Sequence, residues 1–170
     1  MKVIVLVLYL TFSLQNKGPQ INYDKTSNQT IASTPTIEIK LKKEDYITKT
    51  LEFKIQYSYQ GARQRPETAN LVFRSLSHRW RFLEESNRLG VLLFTGFRFN
   101  LSSNPDYTSV IGKKYLEETL VYQISFTDLD KIIRAPYVDV QIGEIEGRIN
   151  EKQLIKMKEL LMGLLAGNTK

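Results

Sequence analysis

The chain has 170 residues, a net charge of +6, 42% hydrophobic and 25% charged residues, and no cysteine. That is the composition of one ordinary globular domain and not of a disordered segment. Structural disulfides, thiol catalysis and cysteine metal sites are excluded, and a single histidine excludes the HExxH zinc motif as well.

Met1-Lys2 precedes an apolar run of 12 residues, Val3–Leu14, followed by polar Gln15–Gly18. This is the layout of a secretory leader over residues 1–15, with Ser13 at the small-residue position before cleavage at Gln15. A helix of that length spans roughly 18 Å against a hydrocarbon core of about 30 Å, so no transmembrane anchor is expected once the leader is removed. No cysteine follows the run, which precludes a bacterial lipoprotein anchor. Without Lys2 the balance is 23 basic against 18 acidic residues, or +5. Such a balance suits an anionic partner or simple solubility.

Residues 16–35 are polar and without periodicity and read as a flexible lead-in to a single domain at 36–167. Thr36–Leu41 is the first expected strand, joined through Lys42–Lys49 to the clearest one, Leu51–Tyr59. There Leu51, Phe53, Ile55, Tyr57 and Tyr59 alternate with polar residues, as in an antiparallel sheet wet on one face. A loop with Arg63 and Arg65 leads to strands at Ala69–Leu76 and Trp80–Leu83. Val91–Phe94 and Phe97–Leu101 flank Thr95-Gly96, which suggests a two-residue hairpin turn.

Ser102–Lys114 reads as a polar loop, long for a compact domain. Leu116–Phe126 returns to strand, with Leu120, Tyr122, Ile124 and Phe126 on one face. Thr127 with Asp130 suggests a capping box for a short helix Asp128–Ala135, stopped by Pro136. Val138–Ile142 and Ile145–Ile149 around Gly143-Glu144 predict a tight hairpin. Asn150 with Gln153 predicts the capped start of a final helix whose Leu154, Met157, Leu161, Leu164 and Leu165 form an apolar stripe, with Gly167 at its end. The expected fold is therefore α+β, mainly β: an antiparallel sheet, sandwich-like or half-barrel, packed with a C-terminal amphipathic helix and one short helix.

Catalytic side chains are sparse. His78 stands near Ser75 and Ser77, but no Gly-x-Ser-x-Gly elbow is present. Glu84-Glu85 and Glu117-Glu118 are adjacent in sequence, which splays them apart in a strand. Asp128 and Asp130 belong to a helix start. Asn104-Pro105-Asp106 lacks the ligands of a calcium loop, and Gly112-Lys113-Lys114 lacks the rest of a phosphate loop. No cofactor or metal is expected.

The most suggestive surface is basic and aromatic: Arg74, His78, Arg79, Arg81, Arg88 and Arg98, with Arg79 and Arg81 on one strand face and Trp80 and Phe82 turned to the core. These residues are the candidate binding set. Its partner would be an unknown protein or an anionic envelope component, and export makes nucleic acid an unexpected ligand.

Three segments, Val72–Leu83, the hairpin about Thr95-Gly96, and Ile124–Ala135 with the following strand, hairpin and helix, together resemble a family of exported bacterial proteins of unassigned function. The similarity covers 68–165. It implies a β-rich fold with a strand–hairpin–helix tail and transfers no catalytic residue. The expected function is a non-enzymatic binding or accessory protein, periplasmic or secreted. The alternatives are a carboxylate-dependent hydrolase of envelope material and a peripheral binder of anionic membrane.

Overall fold

The computed structural model of the chain describes residues 20–42, 48–60, 66–82, 89–93, 96, 98–101 and 105–167. The expected leader, Arg63, Arg65, Glu84-Glu85 and Arg88 lie outside the described residues. The fold is mainly β, with antiparallel sheets and, among the described residues, two helices.

In chain order the elements are β1 (Gln20–Asp24), β2 (Gln29–Ser33), β3 (Ile37–Glu38), β4 (Lys40–Leu41), β5 (Thr48–Gln60), β6 (Thr68–Ser77), β7 (Leu89–Leu93), β8 (Arg98–Leu101), β9 (Asp106–Ile111), β10 (Leu116–Ser125), α1 (Phe126–Ile133), β11 (Val138–Ile142), β12 (Ile145–Ile149) and α2 (Glu151–Gly167). One sheet runs β1-β2-β5-β6-β10-β9, with β3 also paired to β5, and the other runs β4-β12-β11-β7-β8.

The two sheets share one hydrophobic core. Leu51, Phe53, Ile55 and Tyr57 of β5, Leu71 and Phe73 of β6, and Leu120, Tyr122 and Ile124 of β10 face it from the first sheet. Val138, Val140, Ile142, Ile145 and Ile149 face it from the second. Leu154, Met157 and Leu161, at the helical spacing expected for an apolar stripe, bring α2 onto the same core. Each such fully buried side chain contributes about 1.5–3 kcal/mol of transfer free energy.

The segment expected as one strand at Thr36–Leu41 is divided between the sheets: β3 pairs with β5 and β4 pairs with β12. Ile39, between them, is buried, and its N–H donates to the Leu51 carbonyl at 2.8 Å. The crossing is tight enough that a Cβ on Gly147 would overlap Ile39 Cγ2. Only a residue without a side chain lets β12 pass there.

Four further expectations are corrected. Residues 20–33 are no lead-in but a hairpin, whose turn is held by the Asp24 carboxylate accepting from Thr26 N–H and Ser27 Oγ, both at 2.8 Å. Thr30, Ala32 and Thr34 alternate inward, and because two of the three are threonines the pattern hardly registers as hydrophobic. The β7–β8 ladder pairs Leu92 with Arg98 and Val91 with Phe99, a register that an apex of Thr95 and Gly96 alone cannot produce. An odd number of loop residues is required, with Gly96 at φ +78°.

Within the expected 102–114 loop lies strand β9, whose Tyr, Thr, Val and Ile favour a pleated surface once β10 offers a ladder. Finally, the chain leaves β10 directly into α1 at Phe126, and the cap is Ser125, not Thr127. Ser125 is extended, its Oγ accepts from Asp128 N–H at 3.1 Å, and it donates to Asp128 Oδ2 at 3.0 Å. The β11–β12 hairpin and the α2 cap stand as the residues imply: Gly143 takes φ +56°, and Asn150 and Gln153 exchange backbone-to-side-chain hydrogen bonds of 3.0 Å.

Candidate functional site

The end of the seven-stranded sheet where β6 stops is polar on its inner side. Thr48, Ser75, Ser77 and Glu118 are all buried there, whereas Leu71 and Phe73 of β6 and Leu120, Tyr122 and Ile124 of β10 make the same strands apolar further along. Glu118, fully inaccessible, organises the corner that follows β6. Its Oε2 accepts from Arg81 N–H at 2.7 Å, and its Oε1 accepts from Phe82 N–H at 3.0 Å and from the Tyr107 hydroxyl at 3.1 Å. Ser77 Oγ donates to the Arg79 carbonyl at 2.6 Å and tightens the same bend. Desolvation raises the Tyr107 phenol above its ordinary range; a Ser109 hydrogen bond opposes this and the Glu118 charge adds to it.

This bend replaces the expected Trp80–Leu83 strand: residues 78–82 are not in a strand. Two backbone N–H groups are turned onto a carboxylate, which is incompatible with their serving a ladder. Phe82 fills the core as expected, whereas Trp80 is 39% exposed. Trp80 and Phe82, two residues apart, would share a face in a strand but are free to part in a bend. Arg79 is exposed and Arg81 half-buried, so they do not form the expected arginine face.

Arg74 is corrected more sharply. Its guanidinium donates to Glu52 Oε2 at 2.9 Å from Nη1 and to Glu117 Oε2 at 2.7 Å from Nη2, bridging β5, β6 and β10 on the outer face. Burial works against the Arg74 charge, but the Glu117 hydrogen bond and the two carboxylate charges outweigh it and hold the group above its ordinary range. Arg74 is a cross-strand tie with its charge already matched. Beside it Lys54 is pulled below its usual range, first by burial and then by the Arg74 charge. Arg98 lies on β8, the edge strand of the other sheet.

What the structure adds to His78 and Arg79 comes from the β9–β10 turn. Leu116 pairs with Ser77, so residues 112–115 close next to the end of β6. The turn is made by Gly112 N–H donating to the Tyr115 carbonyl at 3.0 Å, and a Cβ at Gly112 would lie 2.9 Å from that oxygen. The His78 and Tyr115 rings then stand 4.9 Å apart, and Lys114 Nζ lies 5.7 Å from the Tyr115 ring centroid.

Among the described residues, no carboxylate forms an ion pair with Arg79, Lys113 or Lys114. No family model matches the chain, and neither a curated protein nor a solved structure is significantly similar to it. The site must therefore be judged on its own geometry. It is a basic and aromatic corner of His78, Arg79, Trp80, Lys113, Lys114 and Tyr115.

Lys113, Lys114 and Tyr115 do not stand out in the sequence because the polar residues around β9 resemble a loop. The signal for them is Tyr107–Ile111 followed by Gly112 and a second β-rich run, a hairpin pattern. Among the described residues no group of acidic and histidine side chains could hold a metal ion. The sequence-adjacent carboxylates Glu117 and Glu118 point to opposite faces, one held by Arg74 and the other by the corner.

Proposed function

We propose that the chain is an exported, non-enzymatic binding or accessory protein of the bacterial cell envelope, and that the corner of His78, Arg79, Trp80, Lys113 and Lys114 meets an anionic, phosphate-bearing membrane surface. The observation that carries this reading is Trp80, the chain's only tryptophan, 39% exposed on a bend that shares its end of the sheet with Arg79, Lys113 and Lys114, cations with no ion pair among the described residues. An indole presents an apolar body with one N–H donor, which suits the boundary between headgroup and acyl chain. Lysine and arginine near an anionic surface each add about 1 kcal/mol.

Export is supported by the Val3–Leu14 run, and among the described residues no helix is long and apolar enough to cross a membrane. The hydrolase alternative gains no support, since Glu52, Glu117 and Glu118 are each held by protein donors.

The test is co-sedimentation with vesicles of phosphatidylcholine, with and without phosphatidylglycerol. Combined Arg79→Ala, Lys113→Ala and Lys114→Ala should weaken binding to the anionic vesicles roughly 100-fold, from three cations at about 1 kcal/mol each. Arg74→Ala should leave affinity unchanged, because that charge is already matched within the sheet. Equal sedimentation of the triple variant and the native chain, or equal binding to neutral vesicles, would overturn the proposal.

A further inference from the structure

A second surface, which shares the Lys113-Lys114 turn with the anionic-surface reading but does not rest on it, is the outer edge of β9. This strand closes the seven-stranded sheet and pairs with β10 on one side only. All six of its residues are exposed, Val110 at 59% and Ile111 at 75%. The β9–β10 ladder runs without a break from Ile111↔Leu116 to Asp106↔Val121, so no bulge twists the edge away. On such a strand alternate backbone N–H and C=O groups face outward, and among the described residues no second strand pairs with them.

Natural sheets blunt exposed edges with lysine, proline, bulges or very short strands. Strand β4 on the other sheet uses two of these: it has two residues, Lys40 and Leu41, and Lys42 follows. Residues 106–111 contain no lysine, arginine or proline.

The charges at the two ends of β9 indicate what covers it. Asp106 opens the strand, and Lys113-Lys114 follow its close. Reversing a second copy antiparallel to the first brings acid beside base at both ends at once, as an isologous contact requires. Strand β1, the opposite edge of the sheet, lacks this match, since Asp24 and Lys25 are neighbours at the same end.

We infer that β9 pairs with β9 of a second copy across a two-fold axis, fusing the two sheets into one. Opposed residues of one antiparallel sheet share a face, so the axis passes through a residue paired with its own mate; through Ser109 it sets Asp106 of each copy against the Gly112–Lys114 turn of the other. Val110 and Ile111 are covered by the second strand, and the outward backbone groups gain partners.

The absence of cysteine makes the test direct. Single substitutions Asp106→Cys, Thr108→Cys, Ser109→Cys, Val110→Cys and Ile111→Cys are oxidised mildly and the covalent dimer is measured. The separation between a residue and its symmetry mate grows by about 6.8 Å per step away from the axis, and a disulfide needs Cα atoms within roughly 7 Å. Cross-linking should therefore be confined to Ser109→Cys, at least about tenfold faster than at the other positions. Sedimentation equilibrium without lipid should show a monomer–dimer equilibrium that Val110→Lys shifts to monomer, with the circular dichroism spectrum unchanged. A native chain that stays monomeric at about 100 µM, near the reach of weak interfaces, overturns the inference. So does even cross-linking along the strand, or a dimer indifferent to Val110→Lys.

Discussion

Replacing Glu118 tests whether one buried carboxylate holds the bend that presents Trp80. In Glu118→Ala, Arg81 N–H and Phe82 N–H lose acceptors at 2.7 and 3.0 Å, whereas the Tyr107 hydroxyl, in a residue 36% exposed, can turn to water. Two stranded backbone donors at about 1–3 kcal/mol each, together with the space left by a fully buried side chain, give a loss of about 3–5 kcal/mol. Glu118→Gln keeps the volume but offers an N–H₂ to one of those donors, for a loss of about 2 kcal/mol. Urea unfolding followed by circular dichroism measures the loss, and Trp80 emission reports the bend separately. In Glu118→Gln the emission should shift at lower urea than the circular dichroism signal, because the bend opens before the sheet. The neighbouring Glu117→Ala should cost only about 1 kcal/mol, since Glu52 still holds Arg74. A Glu118→Ala protein within about 0.5 kcal/mol of native, the range of an ordinary surface substitution, would refute the reasoning.

Gly147→Ala should destabilise by about 2 kcal/mol, because the new methyl group overlaps Ile39 where the chain crosses between sheets. In a double-mutant cycle Ile39→Ala should recover part of that loss, and additivity would contradict the close approach. Arg74→Met should lower stability by about 2 kcal/mol by leaving Glu52 and Glu117 facing one another, which urea unfolding would register.

Tyr57 is buried with no hydrogen-bond partner for its hydroxyl among the described residues, and burial, with a smaller effect of Tyr59, pushes its phenol up to about 12. Its contribution is fully present below the unfolded-state value of about 10 and is lost as pH rises from there through the folded value. Tyr57→Phe should hold or gain up to about 1 kcal/mol at neutral pH and flatten the alkaline fall in stability, read as melting temperature against pH.

Much of the fold is legible in the residues because one face of each long strand is apolar. Leu51–Tyr59 alternates cleanly and Leu120, Tyr122 and Ile124 mark one face of β10, and the β11–β12 hairpin and the Asn150 cap follow from local turn and capping chemistry. The failures come where the face is polar or the pairing is distant. Thr30 and Thr34 point inward without looking hydrophobic, and β9 has no buried face of its own. Arg74 reads as a free cation until the register sets it between Glu52 and Glu117, 22 and 43 residues away. Glu117 and Glu118 are alike in sequence, and only strand alternation separates the outer tie from the buried acceptor. Trp80 reads as core from its alternation with Arg79 and Arg81 in an expected strand, but the Glu118 hydrogen bonds turn its segment out of the sheet.

Trp80 fluorescence gives the most direct measurement of the proposed role, since no other tryptophan contributes. Vesicles containing phosphatidylglycerol are titrated into the protein at low salt and at about 0.5 M salt, where screening shortens the range of surface charge to a few ångströms. The corner predicts a blue-shifted emission with anionic vesicles, lost at high salt and absent with neutral ones. An emission spectrum unmoved by anionic vesicles at low salt, with the protein folded, would contradict it.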